Sequence, residues 1–189
     1  MMSRHCNRAF TLVEILTVVV ILGIAAAVIV PQLGSRDDQK AIAGARMVMA
    51  DLIYAQNRAI STQTRHYVVF NTSSPQGYRI VTSVSPQVDI PHPITKASNY
   101  VVTFGHGGTP GLEDISLGAV NFEGAYTTVM FDELGVPYYY DSGSNTSSAL
   151  ATIDGSKIEI KSGVFTMPVY VQPYTGEITT PSNPVHTGP

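Results

Sequence analysis

The feature that most constrains this chain is an unbroken apolar run from Phe10 to Val30, 21 residues containing a single charge, Glu14. As an α-helix the run would extend about 31 Å at about 1.5 Å per residue, close to the roughly 30 Å hydrocarbon thickness of a bilayer. Val13, Ile15, Leu16, Val18, Val19, Val20, Ile21 and Leu22 make it apolar on every face. Such a helix is either buried in a large protein or placed in a membrane, and 189 residues are too few to enclose it. The flanks give the orientation. Arg4 and Arg8 precede the run with no acid beside them, whereas Arg36 beyond it is followed at once by Asp37 and Asp38. That asymmetry places the N-terminus in the cytoplasm, with a single crossing and the remainder outside. A secretory signal would close on a small-x-small cleavage site. Here the run closes on Val28-Ile29-Val30-Pro31-Gln32, with Ala25-Ala26-Ala27 inside it, so the helix is expected to be retained.

Composition excludes several classes. The apolar fraction is an ordinary 44% and the net charge only −3, which rules out disorder driven by charge. Acids outnumber bases 14 to 11, and after Lys96 the only bases are Lys157 and Lys161. Nine acids lie between Glu113 and Glu177, so no basic nucleic-acid footprint is expected. Cys6 stands alone, which excludes an intrachain disulfide or a multi-cysteine zinc site. No metal and no cofactor is expected.

Glu14 is the informative residue of the run. A carboxylate within an apolar helix costs a few kcal/mol in lipid unless it reaches the interface or meets a cation. It can lie at the membrane surface from the first turn, where helix N-termini favour acids, or it can meet a cation inside an assembly of such helices. The residues alone leave these even.

The stretch Arg8-Ala9-Phe10-Thr11-Leu12-Val13-Glu14-Ile15-Leu16 resembles the leader junction of type IV pilins and type II secretion pseudopilins. The resemblance implies cleavage between Ala9 and Phe10 by a membrane prepilin peptidase, followed by N-methylation of Phe10. Glu14 then falls where the family keeps its glutamate. Gly23 and Pro31 fall where related pilins often carry helix-breaking residues, and they are the expected kink positions. Ala9 departs from the glycine usual before the cut. Loss of nine residues, Arg4, Cys6 and Arg8 among them, would leave 180 residues without cysteine and move the side-chain charge from −3 to −5. The amine made by cleavage could pair with Glu14 of an adjacent subunit. With both charges desolvated, an unpaired partner would cost several kcal/mol, which sets register in a stack of otherwise featureless helices.

The expected fold class is α+β. A long N-terminal helix, membrane-spanning in its first half and amphipathic in its second, packs on a C-terminal antiparallel β-rich domain. The divisions are a leader over 1–9, an apolar transmembrane and assembly helix over 10–31, and an amphipathic helix over 32–60. A periplasmic β-rich domain over 61–179 and a loose Pro-rich tail over 180–189 follow. Ile42, Ala45, Met49, Leu52, Ile53 and Ile60 share one stripe at helical spacing and should pack on the sheet. His66–Phe70 and Tyr78–Val81 read as a hairpin; strands are also expected over 100–104, 127–131, 136–140, 157–161, 164–171 and 177–179. Pro168 would confine its strand to an edge or a bulge. The passage from Gly44-Ala45 to Arg58-Ala59-Ile60 resembles the H-type minor pseudopilins and FimT-like minor pilins, and the segments around Val129–Phe131 and Val169–Val171 resemble their late strands.

Enzyme signals are poor, and no enzyme is expected. G-x-S-x-G, H-E-x-x-H and the phosphate-binding G-x-x-x-x-G-K-[ST] are all missing. Gly105-His106-Gly107-Gly108 reads as a surface loop, since no nucleophile elbow accompanies it. Glu113-Asp114 and Asp132-Glu133 offer oxygen ligands of the kind with which some pseudopilins bind calcium, but without EF-hand spacing. Asn71-Thr72-Ser73 and Asn145-Thr146-Ser147 match the glycosylation sequon by chance. Two functions remain. One is a minor pseudopilin in the bacterial inner membrane, whose partners are other pilins in a helical filament, the prepilin peptidase, the secretion machinery and, before assembly, membrane lipid. The other is a bitopic anchored periplasmic domain that binds or hydrolyses something.

Overall fold

The structure, a computed structural model, describes residues 10–29, 36–124, 126–153 and 155–187. Contacts divide the chain into an N-terminal unit ending at Arg36 and a second unit from Asp37 onward.

The first unit contains α1, Leu12–Ile29. Thr11 caps it: its hydroxyl accepts the Glu14 N–H at 3.2 Å and its carbonyl the Ile15 N–H at 3.3 Å. Apart from Glu14 and Thr17, the described surface of α1 is apolar, with Leu12, Leu16, Val19 and Ile24 among its exposed side chains. It has 18 residues, about 27 Å at about 1.5 Å per residue, where a span needs about 20. Among the described residues no helix is long and apolar enough to cross a membrane. The expected helix over 10–31 thus appears as α1 over Leu12–Ile29, and Val30 and Pro31 lie outside the described residues.

The second unit opens with α2, Asp37–Thr62. Asp37 and Asp38 in its first turn complement the helix dipole. At its end Gln63 takes a left-handed φ of 51°, and the Thr64 N–H returns to the Ala59 carbonyl at 3.3 Å, a Schellman closure. The Gln63 side chain holds that turn by donating to the carbonyls of Ile60 and Glu133.

The buried face of α2 is Ala41, Gly44, Ala45, Val48, Leu52, Ala55 and Ala59. This corrects the stripe expected from the sequence. Ala45 and Leu52 belong to it, but Ile53 and Ile60 are exposed and Ile42 and Met49 lie at its margins. The reason is close approach. A Cβ at Gly44 would come within 2.8 Å of Ile115 Cδ1 and 3.0 Å of Ile160 Cγ2, so only small residues fit where helix and strands are nearest.

Two antiparallel sheets receive this face. The strands are β1 His66–Asn71, β2 Gly77–Val84, β3 Gln87–Asp89, β4 Tyr100–Thr103, β5 Ser116–Phe122 and β6 Thr128–Phe131. They continue with β7 Pro137–Asp141, β8 Thr146–Ala149, β9 Ser156–Ser162, β10 Phe165–Val171, β11 Ile178–Thr179 and β12 Val185–His186. The first sheet runs β3-β2-β1-β6-β7-β8, with β4 also on β2; the second runs β11-β10-β9-β5, with β12 also on β10. α2 touches β1 and β6 of the first sheet and β9, β10 and β11 of the second. One helix therefore closes both sheets over a common core containing Val68, Phe70, Ile80, Phe122, Phe131, Ile158 and Ile160. The α+β class with antiparallel strands agrees with the expectation.

Four strands were not expected, and the reasons are local. β3 and β12 are very short. β5 carries a register shift between Leu117 and Val120, around Gly118, that breaks its alternation. β8, Thr-Ser-Ser-Ala, has no large apolar residue. The tail expected to be loose contributes β12, held by Phe165↔His186 and Thr166↔Val185. β10 is not an edge strand either. Its outer side is shared by β12 at residues 165–166 and β11 at 170–171, and Pro168 falls in the gap between them, paired only on its inner side with Glu159 of β9.

Candidate functional site

The residues singled out at the N-terminus fall on or beside α1. Phe10 precedes the helix and is 74% exposed. Glu14 is exposed in its first turn, and among the described residues no ion pair reaches it. Thr11 and Glu14 stand in the Thr-x-x-Glu spacing of a capping box, of which the hydroxyl-to-amide half is formed. Gly23 lies in the helix interior, which runs unbroken through it, and a Cβ there would point into open space. Ala9 and Pro31 lie outside the described residues.

The calcium candidates are engaged by the chain itself. Asp132 Oδ1 accepts the N–H groups of Leu134 at 3.0 Å and Val136 at 2.8 Å, and Glu133 pairs with Arg65 at 3.7 Å. Glu113 Oε1 accepts the Gly111 N–H at 3.0 Å. Asp114 pairs with Lys40 at 2.7 Å, a bond that lowers the carboxyl pKa and raises that of the amine. Among the described residues no group of three or more His, Cys, Asp or Glu side chains is placed to hold a metal ion. The loop Gly105–Gly108 lies between two open surface hollows of about 340 and 500 Å3. Both sequon asparagines are occupied: Asn71 donates to the Pro75 carbonyl and accepts from the Ser73 N–H, and Asn145 accepts the Tyr140 hydroxyl.

A polar cluster not expected from the sequence lies at the contact of α2 with the first sheet. Asp51 of α2 accepts the Tyr78 hydroxyl of β2 at 2.5 Å and the Tyr100 hydroxyl of β4 at 2.8 Å. Burial pushes the Asp51 carboxyl above the usual range, against the two hydroxyl bonds and the charge of His92, which pull it down. Burial, and then the Asp51 charge, raise both phenols. The three residues are 27 and 49 positions apart, so no local spacing could have signalled them.

Comparison with known proteins points to the N-terminal segment. The prokaryotic N-terminal methylation motif matches residues 4–30. The chain is 53% identical over 45 residues to the type II secretion system core protein G of Pseudomonas aeruginosa, which covers 24% of this chain and 32% of that protein. No solved structure matches the chain. Over its N-terminal segment the chain is thus similar to proteins of the type IV pilin and pseudopilin family.

Proposed function

We propose that this protein is a minor pilin-like subunit of a type II secretion pseudopilus or a related type IV pilus machine, of the H-type or FimT-like kind, and is not an enzyme. The observation that carries the reading is the junction Arg8-Ala9-Phe10 set directly before an apolar helix with an acid in its first turn. Prepilin peptidase cuts between Ala9 and Phe10, and Phe10 is methylated. Before assembly the apolar segment rests in the inner membrane as a single span, N-terminus cytoplasmic and β domain periplasmic. Gly23 and Pro31 allow it to bend. In the filament Glu14 meets the N-terminal amine of a neighbouring pilin. The small-residue helix α2 leading into short antiparallel strands supports the H-type assignment. The scarcity of bases after Lys96 speaks against nucleic acid as a partner.

The test is N-terminal and intact-mass analysis of the full chain co-expressed with a prepilin peptidase. Loss of nine residues with a methylated Phe10 supports the reading. An uncut chain, or a product starting after Ala27, overturns it. One observation favours a second reading, the bitopic anchor: an acid three residues after a Thr cap assists any helix start, and there Glu14 needs no neighbour. Subunit co-purification separates the two.

A further inference from the structure

The connection between β3 and β4 is closed by an imidazole. His92 Nδ1 accepts the N–H groups of Ile94 at 3.2 Å and Thr95 at 3.3 Å. Its main chain closes the same loop, with the His92 N–H donating to the Ala97 carbonyl at 2.9 Å and the Lys96 N–H to the His92 carbonyl at 3.0 Å. Lys96 takes a left-handed φ of 60° at the turn. The ring is not free to swing away, since it stacks on Tyr100 with centroids 4.3 Å apart and planes at 22°. Tyr100 is fixed in turn by its bond to Asp51 and by stacking on Tyr54 of α2 at 5.5 Å.

The arrangement copies an Asx turn, in which a side-chain acceptor gathers two amides two and three residues ahead. An Asn or Asp oxygen accepts at any pH above the acid range. An imidazole nitrogen accepts only while unprotonated, because the imidazolium carries a hydrogen on both nitrogens. We infer that His92 is a proton-operated clasp on the loop 92–97: neutral, it holds the Ile94 and Thr95 amides; protonated, it releases them.

The groups facing the ring set the balance. Tyr100 of β4 presents its ring, Asp51 of α2 acts on His92 through charge, and Lys96 belongs to the loop itself. An imidazolium lying on a tyrosine face near a carboxylate is well placed. Protonation therefore does not expel the ring from its stack. It removes the acceptor and turns Nδ1 into a donor facing two other donors, so the loop moves and the ring stays. The segment that moves carries Ile94, 82% exposed, and links β3 to β4, both of which pair with β2. Imidazole is the side chain that ordinarily exchanges a proton near neutral pH, so the shape of the loop follows the protonation of the ring.

The test is hydrogen exchange of the full chain in detergent micelles, read at the Ile94 and Thr95 amides and corrected for the intrinsic pH dependence of exchange. Between pH 8 and pH 5 their protection should fall about tenfold or more, while that of β1 and β9 holds. In His92→Asn, whose Oδ1 accepts at both pH values, protection should persist at pH 5. Equal protection of the wild-type amides at both pH values overturns the inference. So does a pH-dependent loss that survives in His92→Asn.

Discussion

The Tyr78 hydroxyl of β2 donates to Asp51 Oδ2 of α2 at 2.5 Å, joining the helix to the first sheet through a contact that neither residue's neighbours announce. Tyr78 is 3% exposed, so its hydroxyl has no water to turn to if the acceptor goes. Asp51→Ala should therefore destabilise the domain by about 1–3 kcal/mol, the cost of a buried unpaired donor. Asp51→Asn, which keeps an acceptor, should cost less. Melting of both variants in the same detergent checks the order; equal losses would mean that the two hydroxyl bonds contribute little.

A pH dependence should come from His66. It is 1% exposed, its Nδ1–H donates to the Thr64 carbonyl at 2.9 Å, and Nε2 is buried without a partner among the described residues. Burial lowers its pKa, the Thr64 bond opposes this, and Arg58 adds to it. The unfolded chain therefore binds the proton more readily than the folded one. The stability His66 contributes is complete above the ordinary imidazole pKa and is lost as pH falls from there through the depressed folded value. Melting temperature should decline between pH 8 and pH 5, and more steeply in wild type than in His66→Gln. Parallel slopes would contradict the assignment.

Gln56 ties two turns to α2. Its Nε2 donates to the carbonyl of Gly135, between β6 and β7 of the first sheet, at 2.9 Å, and to that of Gly176, between β10 and β11 of the second, at 3.1 Å. Gln56→Ala should cost about 1–3 kcal/mol, since each of the two bonds is worth about 0.5–1.5. Exchange protection should fall at both turns together. Loss at one turn alone would show that the carboxamide does not hold them jointly.

Gly44→Val should destabilise the domain by about 1–3 kcal/mol through overpacking. The new side chain meets Ile115 and Ile160, neither of which has room to retreat in the core. Ile53→Val, on the exposed side of the same helix, should change little. Denaturant titration distinguishes the two faces.

Under the assembly reading, Glu14→Ala and Glu14→Gln should leave membrane association and the melting of the β domain unchanged while lowering co-purification with other pilin-like subunits. Leader cleavage is monitored alongside. Wild-type recovery of both variants would make Glu14 a helix-start residue only.

The apolar helix and every strand with alternating β-branched or aromatic residues were legible in the sequence, because those signals are local. The hairpin of β1 and β2 falls where turn chemistry and alternation place it, in the register Tyr67↔Val81 to Asn71↔Gly77. The buried side of α2 differs from the stripe of large apolar residues because closeness of packing, not side-chain size, selects Ala41, Gly44, Ala45 and Ala55. β8 and β12 escaped because main-chain pairing, not side-chain burial, makes them strands. The Asp51 cluster was invisible because its members meet only after the chain has folded. The Thr11 cap was legible in principle, from the spacing of Thr11 and Glu14.

The uniform apolarity of α1 leaves the helix without a rotational reference. A cylinder coated evenly in aliphatic side chains is almost isoenergetic on turning about its own axis, in lipid or against similar cylinders. The described part of α1 breaks that symmetry with Glu14 and Thr17, and Thr11 stands just ahead of them. At about 100° per residue these three lie within an arc of about 120°. Thr17 spends its hydroxyl on the Val13 carbonyl at 2.8 Å, which leaves the azimuth of the helix to be read at its first turn alone. Whatever surface receives α1 can slide along its aliphatic length with little penalty and must take its angular bearing from Thr11 and Glu14.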